Sequence, residues 1–228
     1  ENYLTFQYSV LPETFFKGIY KLMPAHSITF ENGEVSVKRY WEPEFEPDDN
    51  VKLEDLVDKI DNAMQDSIKK HKISDVEVGS FLSSGVDSSY VAACFKGDKT
   101  FTVGFDYEKY NEIDYAKALS EKIDIDNYSK LITTDEYWDV LPTVQYHMDE
   151  PLADPSAVAL YFVSQTAAKH VKVSLSGEGA DEFFGGYNIY REPFSLKPLT
   201  RLPRPVRKFL GSVASAIPFK IKGKNYLI

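Results

Sequence analysis

The stretch VEVGSFLSSGVDSSYVAACF, Val76 to Phe95, decides the fold. Its first part, Val76 to Leu82, is short, β-branched and apolar, the profile of a strand buried on both faces. Six mostly small residues follow, Ser83, Ser84, Gly85, Val86, Asp87 and Ser88, and Ser89 to Phe95 then reads as helix. A strand that passes through a Ser/Gly loop into a helix gathers free backbone N–H groups and a positive dipole end at one spot. Serine hydroxyls add donors there, and Gly85 is expected to supply positive φ and close approach. Such a cradle suits a phosphate chain. It is neither a Walker loop, for lack of G-x-x-x-x-G-K-[ST], nor a dinucleotide turn, for lack of G-x-G-x-x-G. A plain strand–turn–helix junction capped by Ser88 accounts for the hexapeptide almost as well when it is taken alone.

The flanks supply context. Upstream, Ser27–Glu31 and Glu34–Tyr40 alternate around Asn32-Gly33, a two-residue hairpin signal, and residues 1–45 read as β-rich. Glu42 to Asn50 combines prolines with acids and reads as a linker. Leu53, Leu56, Val57, Ile60, Met64 and Ile68 share one helical face through His71. Beyond it strands are expected near 76–82, 100–105, 127–132 and 171–176. Helices are expected near 88–96, 112–122, 135–147 and 156–169. That rhythm predicts an α/β fold, a parallel sheet with helices on both faces, preceded by a short β-rich segment. Ligands of such sheets sit beyond the carboxyl ends of the strands. Val103-Gly104 is a small apolar strand end on which an adenine could lie. The last strand runs into SGEGADEFFGGY, Ser176 to Tyr187, with three carboxylates within five positions. Like charges that close repel unless a cation or charged ligand shares the site. A solvated surface turn is the bland alternative, but Phe183, Phe184 and Tyr187 make the loop too apolar for it.

Three motifs carry a family resemblance. S-S-G-V-D-S resembles the S-G-G-x-D-S pyrophosphate loop of the N-type ATP pyrophosphatases, the adenine-nucleotide alpha-hydrolase-like fold, with Ser84 where that pattern prefers glycine and tolerable at negative φ. SGEGADEFFGGY resembles the signature of the glutamine-hydrolysing asparagine synthetases. Asp149 to Ser156, DEPLADPS, resembles a third segment of the same synthetase domain. The order is the family's and the likeness spans most of residues 48–192. Residues 1–47 resemble the end of the amide-hydrolysing half, so the resemblance implies domains at 1–47 and 48–228.

The resemblance also implies roles. Phe81, Leu82 and Val103, with Gly104 beside it, match nucleotide contacts. Ser83, Gly85, Val86, Asp87 and Ser88 match the pyrophosphate loop, with Asp87 near Mg²⁺. Ser176 and Gly177 match further ATP contacts, Asp181 a second metal-side carboxylate, and Glu178 the acid that handles the proton of incoming ammonia. ATP, Mg²⁺, aspartate and ammonia are thus the expected ligands, with glutamine hydrolysed by an N-terminal glutaminase domain outside this sequence. A homodimer is compatible with the resemblance. β-Lactam-forming synthetases, NAD synthetases and tRNA-modifying ligases share the first loop and stay open on it, as does a non-catalytic nucleotide-binding module.

Composition bounds the rest. A chain of 228 residues with 43% hydrophobic and 27% charged residues can bury a substantial core. No apolar run approaches the roughly 20 residues of a membrane span. The net charge of −9 disfavours a general nucleic-acid role, although Pro193 to Ile228 holds eight basic and no acidic residues and reads as a partly helical, solvated tail. Cys94, the single cysteine, fits a reducing, cytoplasmic compartment and reads as a small buried residue. It does not match the family's amide-hydrolysing cysteine, so a fragment of a longer synthetase, inactive alone, is the expectation. The four histidines show no metal-ligand spacing. The aromatics Tyr3, Phe6, Tyr8, Phe15, Phe16 and Tyr20 are expected to form a packing surface.

Overall fold

The computed structural model describes residues 2–10, 12–48, 50–107 and 111–216. It divides into two compact units, Glu1–Gly177 and Glu178–Ile228, the division falling inside SGEGADEFFGGY.

The first unit opens with helix α1 (Asn2–Phe6), a departure from the β-rich reading of residues 1–45. Its five residues, Asn-Tyr-Leu-Thr-Phe, are too few for periodicity to separate helix from strand. The hairpin follows as expected, β1 (His26–Glu31) antiparallel to β2 (Glu34–Arg39), with Asn32 and Gly33 both at positive φ. Ile28 pairs with Val37 and Phe30 with Val35, an apolar ladder that stays well exposed. Residues 42–48 are irregular, as a linker should be.

After α2 (Leu53–His71) come β3 (Val78–Phe81), α3 (Val86–Phe95), β4 (Lys99–Phe105), α4 (Ile113–Ile123), β5 (Asp126–Ile132), α5 (Thr134–His147), α6 (Ser156–Ala167) and β6 (Val173–Leu175). The four strands form a parallel sheet in the order β5-β4-β3-β6. Strand alternation divides the core. Phe101, Val103 and Ile132 pack against Val158, Phe162 and Val163 of α6. From the strand end on the opposite face, Leu82 meets Ala92 of α3 and Ala116 of α4. Both faces are therefore covered, which is why these strands lack an exposed polar side. Gly79 is a packing requirement, because a β-carbon there would stand 2.4 Å from the Phe101 ring. Thr133 opens α5 with a capping box to Glu136.

Cys94 is half-buried rather than buried, beside Ile68 and Val91. The phenol of its helix neighbour Tyr90 donates to Asp61, and that carboxylate holds the Tyr90 pKa well above the usual phenol range. His170 lies against Tyr128 with ring centroids 3.9 Å apart, a structural role. The N-terminal segment is fastened to the DEPLADPS stretch. Glu150, its side chain 10% exposed, pairs with Lys21 and accepts from Phe15 N–H at 3.0 Å, while Ala153 N–H donates to Gln7 carbonyl at 3.2 Å.

The second unit contains α7 (Ala180–Phe184), a 3-10 turn at Asn188–Arg191, α8 (Glu192–Thr200) and α9 (Arg204–Ala216). The tail is thus largely helical up to residue 216, and residues 217–228 of the expected extension lie outside the described residues. Among the described residues no helix is long and apolar enough to cross a membrane.

Candidate nucleotide site

In the sheet order β5-β4-β3-β6 the chain leaves β3 toward β4 and returns on the other side as β6. The crevice beyond the carboxyl ends of β3 and β6 is therefore the topological switch point, where open α/β sheets bind ligands. Ser83, Ser84 and Gly85 lie in the loop after β3, Val86 to Ser88 open α3, and Ser176-Gly177 follows β6.

Helix α3 begins at Val86, three residues ahead of the expected start, so Asp87 and Ser88 lie in its first turn. The N–H groups of that turn have no intrahelical acceptor and aim out of the helix end. Gly85, the N-cap, has φ −70 and ψ 153, so positive φ is not what this loop demands of it. A β-carbon there would make a tight approach, 3.2 Å, to Ser83 Oγ. Ser84 is likewise not at positive φ, so serine is accommodated where the pattern prefers glycine. The loop is braced from within. Ser83 N–H donates to Ser88 Oγ at 3.0 Å, the two hydroxyls lie 2.8 Å apart, and Gly85 N–H donates to Ser83 Oγ at 3.1 Å. Ser88 thus closes the loop rather than capping the helix.

Strand ends hold the cradle in place. Leu82, 2% exposed, donates its N–H to Phe101 carbonyl at 2.8 Å and accepts at its own carbonyl from Thr102 Oγ1 at 2.8 Å. Asn127 Nδ2 donates to Thr100 Oγ1 at 3.1 Å and to Thr102 Oγ1 at 2.9 Å, and Thr100 Oγ1 lies 3.1 Å from Ser120 Oγ of α4. This buried polar chain links three strands and a helix directly behind the loop.

Gly177 brings the second loop to the first. A β-carbon on it would stand 2.8 Å from Ser88 N and 3.0 Å from the Asp87 carbonyl carbon. Only glycine permits that approach. The sequence-derived residues Leu82, Ser83, Gly85, Val86, Asp87, Ser88 and Gly177 therefore meet at one place, with Ser176 exposed at the end of β6. Phe81 and Val103 differ: their side chains belong to the core around Phe101. Gly104 faces Asn111 and Ile113, whose atoms a β-carbon would meet at 2.6 and 3.1 Å.

Within the second unit, Gly179 (φ +89) precedes α7 and Gly185 (φ +66) ends it. Asp181 is half-buried, and its Oδ1 lies over Gly186, where a β-carbon would stand 1.8 Å away. The Tyr187 phenol donates to Glu182 at 3.0 Å, and that carboxylate, with burial, pushes the Tyr187 pKa up to about 12. Glu178 is exposed. Among the described residues no group of three or more His, Cys, Asp or Glu side chains is arranged around a metal position. Magnesium needs no such cage when phosphates supply most of its oxygens, and the half-buried carboxylate of Asp87 is a suitable hard donor.

The sequence reading missed Glu112. Its carboxylate accepts from Ser84 N–H at 3.3 Å. Glu112 falls in the connection from β4, the strand adjacent to β3, to α4, and that connection leaves the same end of the sheet.

Comparison with known proteins gives this geometry a family. Residues 59–221 match the asparagine synthase family. The chain belongs to that family. It is 44% identical over 234 residues to the glutamine-hydrolysing asparagine synthetase 1 of Bacillus subtilis, which covers all of this chain and 37% of the relative. Asparagine synthetase 3 of the same organism is 32% identical over 192 residues, 75% of this chain and 31% of the relative. The amidase ChyE of Penicillium rubens is 27% identical over 242 residues, 92% of this chain and 36% of the relative. The chain thus spans 31 to 37% of the length of these three curated relatives. The family assignment covers the sheet from α2 onward, with both loops, and the parallel α/β architecture accords with it.

Proposed function

We propose that this chain is the ATP-handling portion of a C–N ligase that converts aspartate to asparagine. One observation carries the reading: Gly177 seats the loop after β6 on the first turn of α3, so serine hydroxyls, helix N–H groups and Asp87 converge where a pyrophosphate would lie. The asparagine synthetase relatives supply the acceptor.

The chemistry follows from the substrate. The side-chain carboxylate of aspartate is a poor electrophile, because an oxide leaving group resists displacement by ammonia. One carboxylate oxygen attacks the α-phosphorus of ATP, the α–β bridging oxygen departs with pyrophosphate, and β-aspartyl-AMP results. Ammonia then attacks the acyl carbon, AMP leaves, and a proton passes from nitrogen to a base. Ser83, Ser88 and the first-turn N–H groups of α3 would hold the departing pyrophosphate and stabilise its growing charge. Magnesium, when bound, would screen the phosphates, with Asp87 as the first unit's donor. For Asp181 as the second metal-side carboxylate, and for Glu178 as the base that takes the ammonia proton, support comes from sequence resemblance. In the same reading a glutaminase domain elsewhere in the full-length protein releases the ammonia, and the reaction runs in the cytoplasm.

Exchange of labelled pyrophosphate into ATP tests the proposal. In the full-length protein aspartate should support exchange with Mg²⁺ present. Exchange driven by a carboxyethyl-arginine-type substrate instead would move the reading to a β-lactam-forming ligase, and ATP binding without turnover of aspartate and ammonia would leave a nucleotide-binding module.

A further inference from the structure

Three contacts on the α4 side of the loop lead to one residue. Gly104, at the end of β4, leaves room for Asn111, whose Oδ1 would stand 2.6 Å from a β-carbon at that position. The same Asn111 oxygen accepts from Ile113 N–H at 3.2 Å and so fixes the entry into α4. Glu112, held between them at the N-cap position, makes no side-chain cap to its own helix. Its half-buried carboxylate turns instead to Ser84 N–H, 3.3 Å away.

That N–H belongs to the cradle proposed for pyrophosphate. The neighbouring backbone donors, Ser83 N–H and Gly85 N–H, are already taken by serine hydroxyls of the loop itself. Ser84 N–H is the donor whose partner is an anion, and a phosphate oxygen approaching it must displace that anion and then lie near its charge. We propose that Glu112 is a resident competitor in the nucleotide site: its carboxylate occupies the position of a phosphate oxygen on Ser84 N–H and limits affinity for the polyphosphate. This rests on the nucleotide reading above and adds to it a residue and a sign. An acid in a phosphate site ordinarily holds magnesium and strengthens binding; here removal of the charge strengthens binding without magnesium. A pyrophosphate held less tightly is also released more readily after the first chemical step, so the device favours turnover over retention.

The test uses the full-length protein and two probes, ATP and inorganic pyrophosphate, by calorimetry in EDTA and again with Mg²⁺. Glu112→Gln keeps an acceptor of the same shape without the charge, and Glu112→Ala frees the N–H altogether. Both should bind either probe about fivefold more tightly than wild type in EDTA, the size expected when one like charge leaves a partly exposed site. Asp114→Asn, which removes an exposed acid from the same helix turn, should leave affinity unchanged. The proposal is overturned if the Glu112 variants bind equally or less tightly in EDTA, if they lose affinity only with Mg²⁺ (a metal ligand), or if Asp114→Asn tightens binding as much (a general field effect). Those results leave the nucleotide reading standing. Failure of the wild-type protein to bind either probe would take down both.

Discussion

Gly177 lies so close to Ser88 that a β-carbon on the glycine would stand 2.8 Å from the serine backbone nitrogen. The obstacle would be backbone, which cannot swing aside as the tip of a side chain can. Gly177→Ala should therefore push the loop after β6 off the first turn of α3. We expect at least a tenfold loss of ATP affinity and, from overpacking, a destabilisation of about 1–3 kcal/mol. Calorimetric titration and urea melts check the two effects.

Thr102 is 1% exposed and its hydroxyl serves two partners, the Leu82 carbonyl and Asn127. Thr102→Val keeps the shape and removes both bonds, stranding polar groups away from water, at a cost of about 1–3 kcal/mol. Because Leu82 leads into Ser83, ATP affinity should fall as well. Thr102→Ser should restore most of both, which urea denaturation and nucleotide titration would show.

The N-terminal fastening should be acid-sensitive. Pairing with Lys21, aided by the Phe15 N–H, holds the Glu150 carboxyl below the usual carboxylate range. A depressed carboxylate stabilises the fold above its unfolded pKa and loses that contribution as pH falls through the folded value. Wild type should thus exceed Glu150→Gln in stability at pH 7, and the gap should close as pH drops from about 4.3 downward. Thermal melts of both proteins across that range would reveal a gap that persists at low pH, should the pairing not be its source.

Much of the sheet was legible because its signals are local and strong. The β1–β2 hairpin, α2, and the alternation from β3 to β6 lie within a few residues of where periodicity puts them. Boundaries were less legible: α3 begins at Val86 because a helix can start on Val-Asp-Ser once Gly85 supplies an extended N-cap. The site was legible as residue types and not as contacts. Gly85 was expected to bring positive φ and close approach; its φ is −70, and a β-carbon there would stand 3.2 Å from Ser83 Oγ. The chain from Asn127 through Thr102 to Leu82 follows no periodic pattern, since it joins residues up to 25 positions apart across strands.

The capping box of α5 offers a local check. Thr133 Oγ1 accepts from Glu136 N–H at 3.2 Å, and Glu136 in turn accepts from Thr133 N–H and pairs with Lys130 at 2.6 Å. Thr133→Ala should cost about 1 kcal/mol, read as a lower denaturation midpoint with nucleotide affinity unchanged.

Phe15 and Glu150 are bonded across 135 residues of sequence. A ribosome making this protein must finish α5 before Phe15 and Lys21 can find their carboxylate. For roughly 7–27 seconds of synthesis at about 5–20 residues per second Phe15 and Lys21 wait for that carboxylate. Chaperone capture, if it occurs during translation, should concentrate in that interval and end when Glu150 clears the exit tunnel.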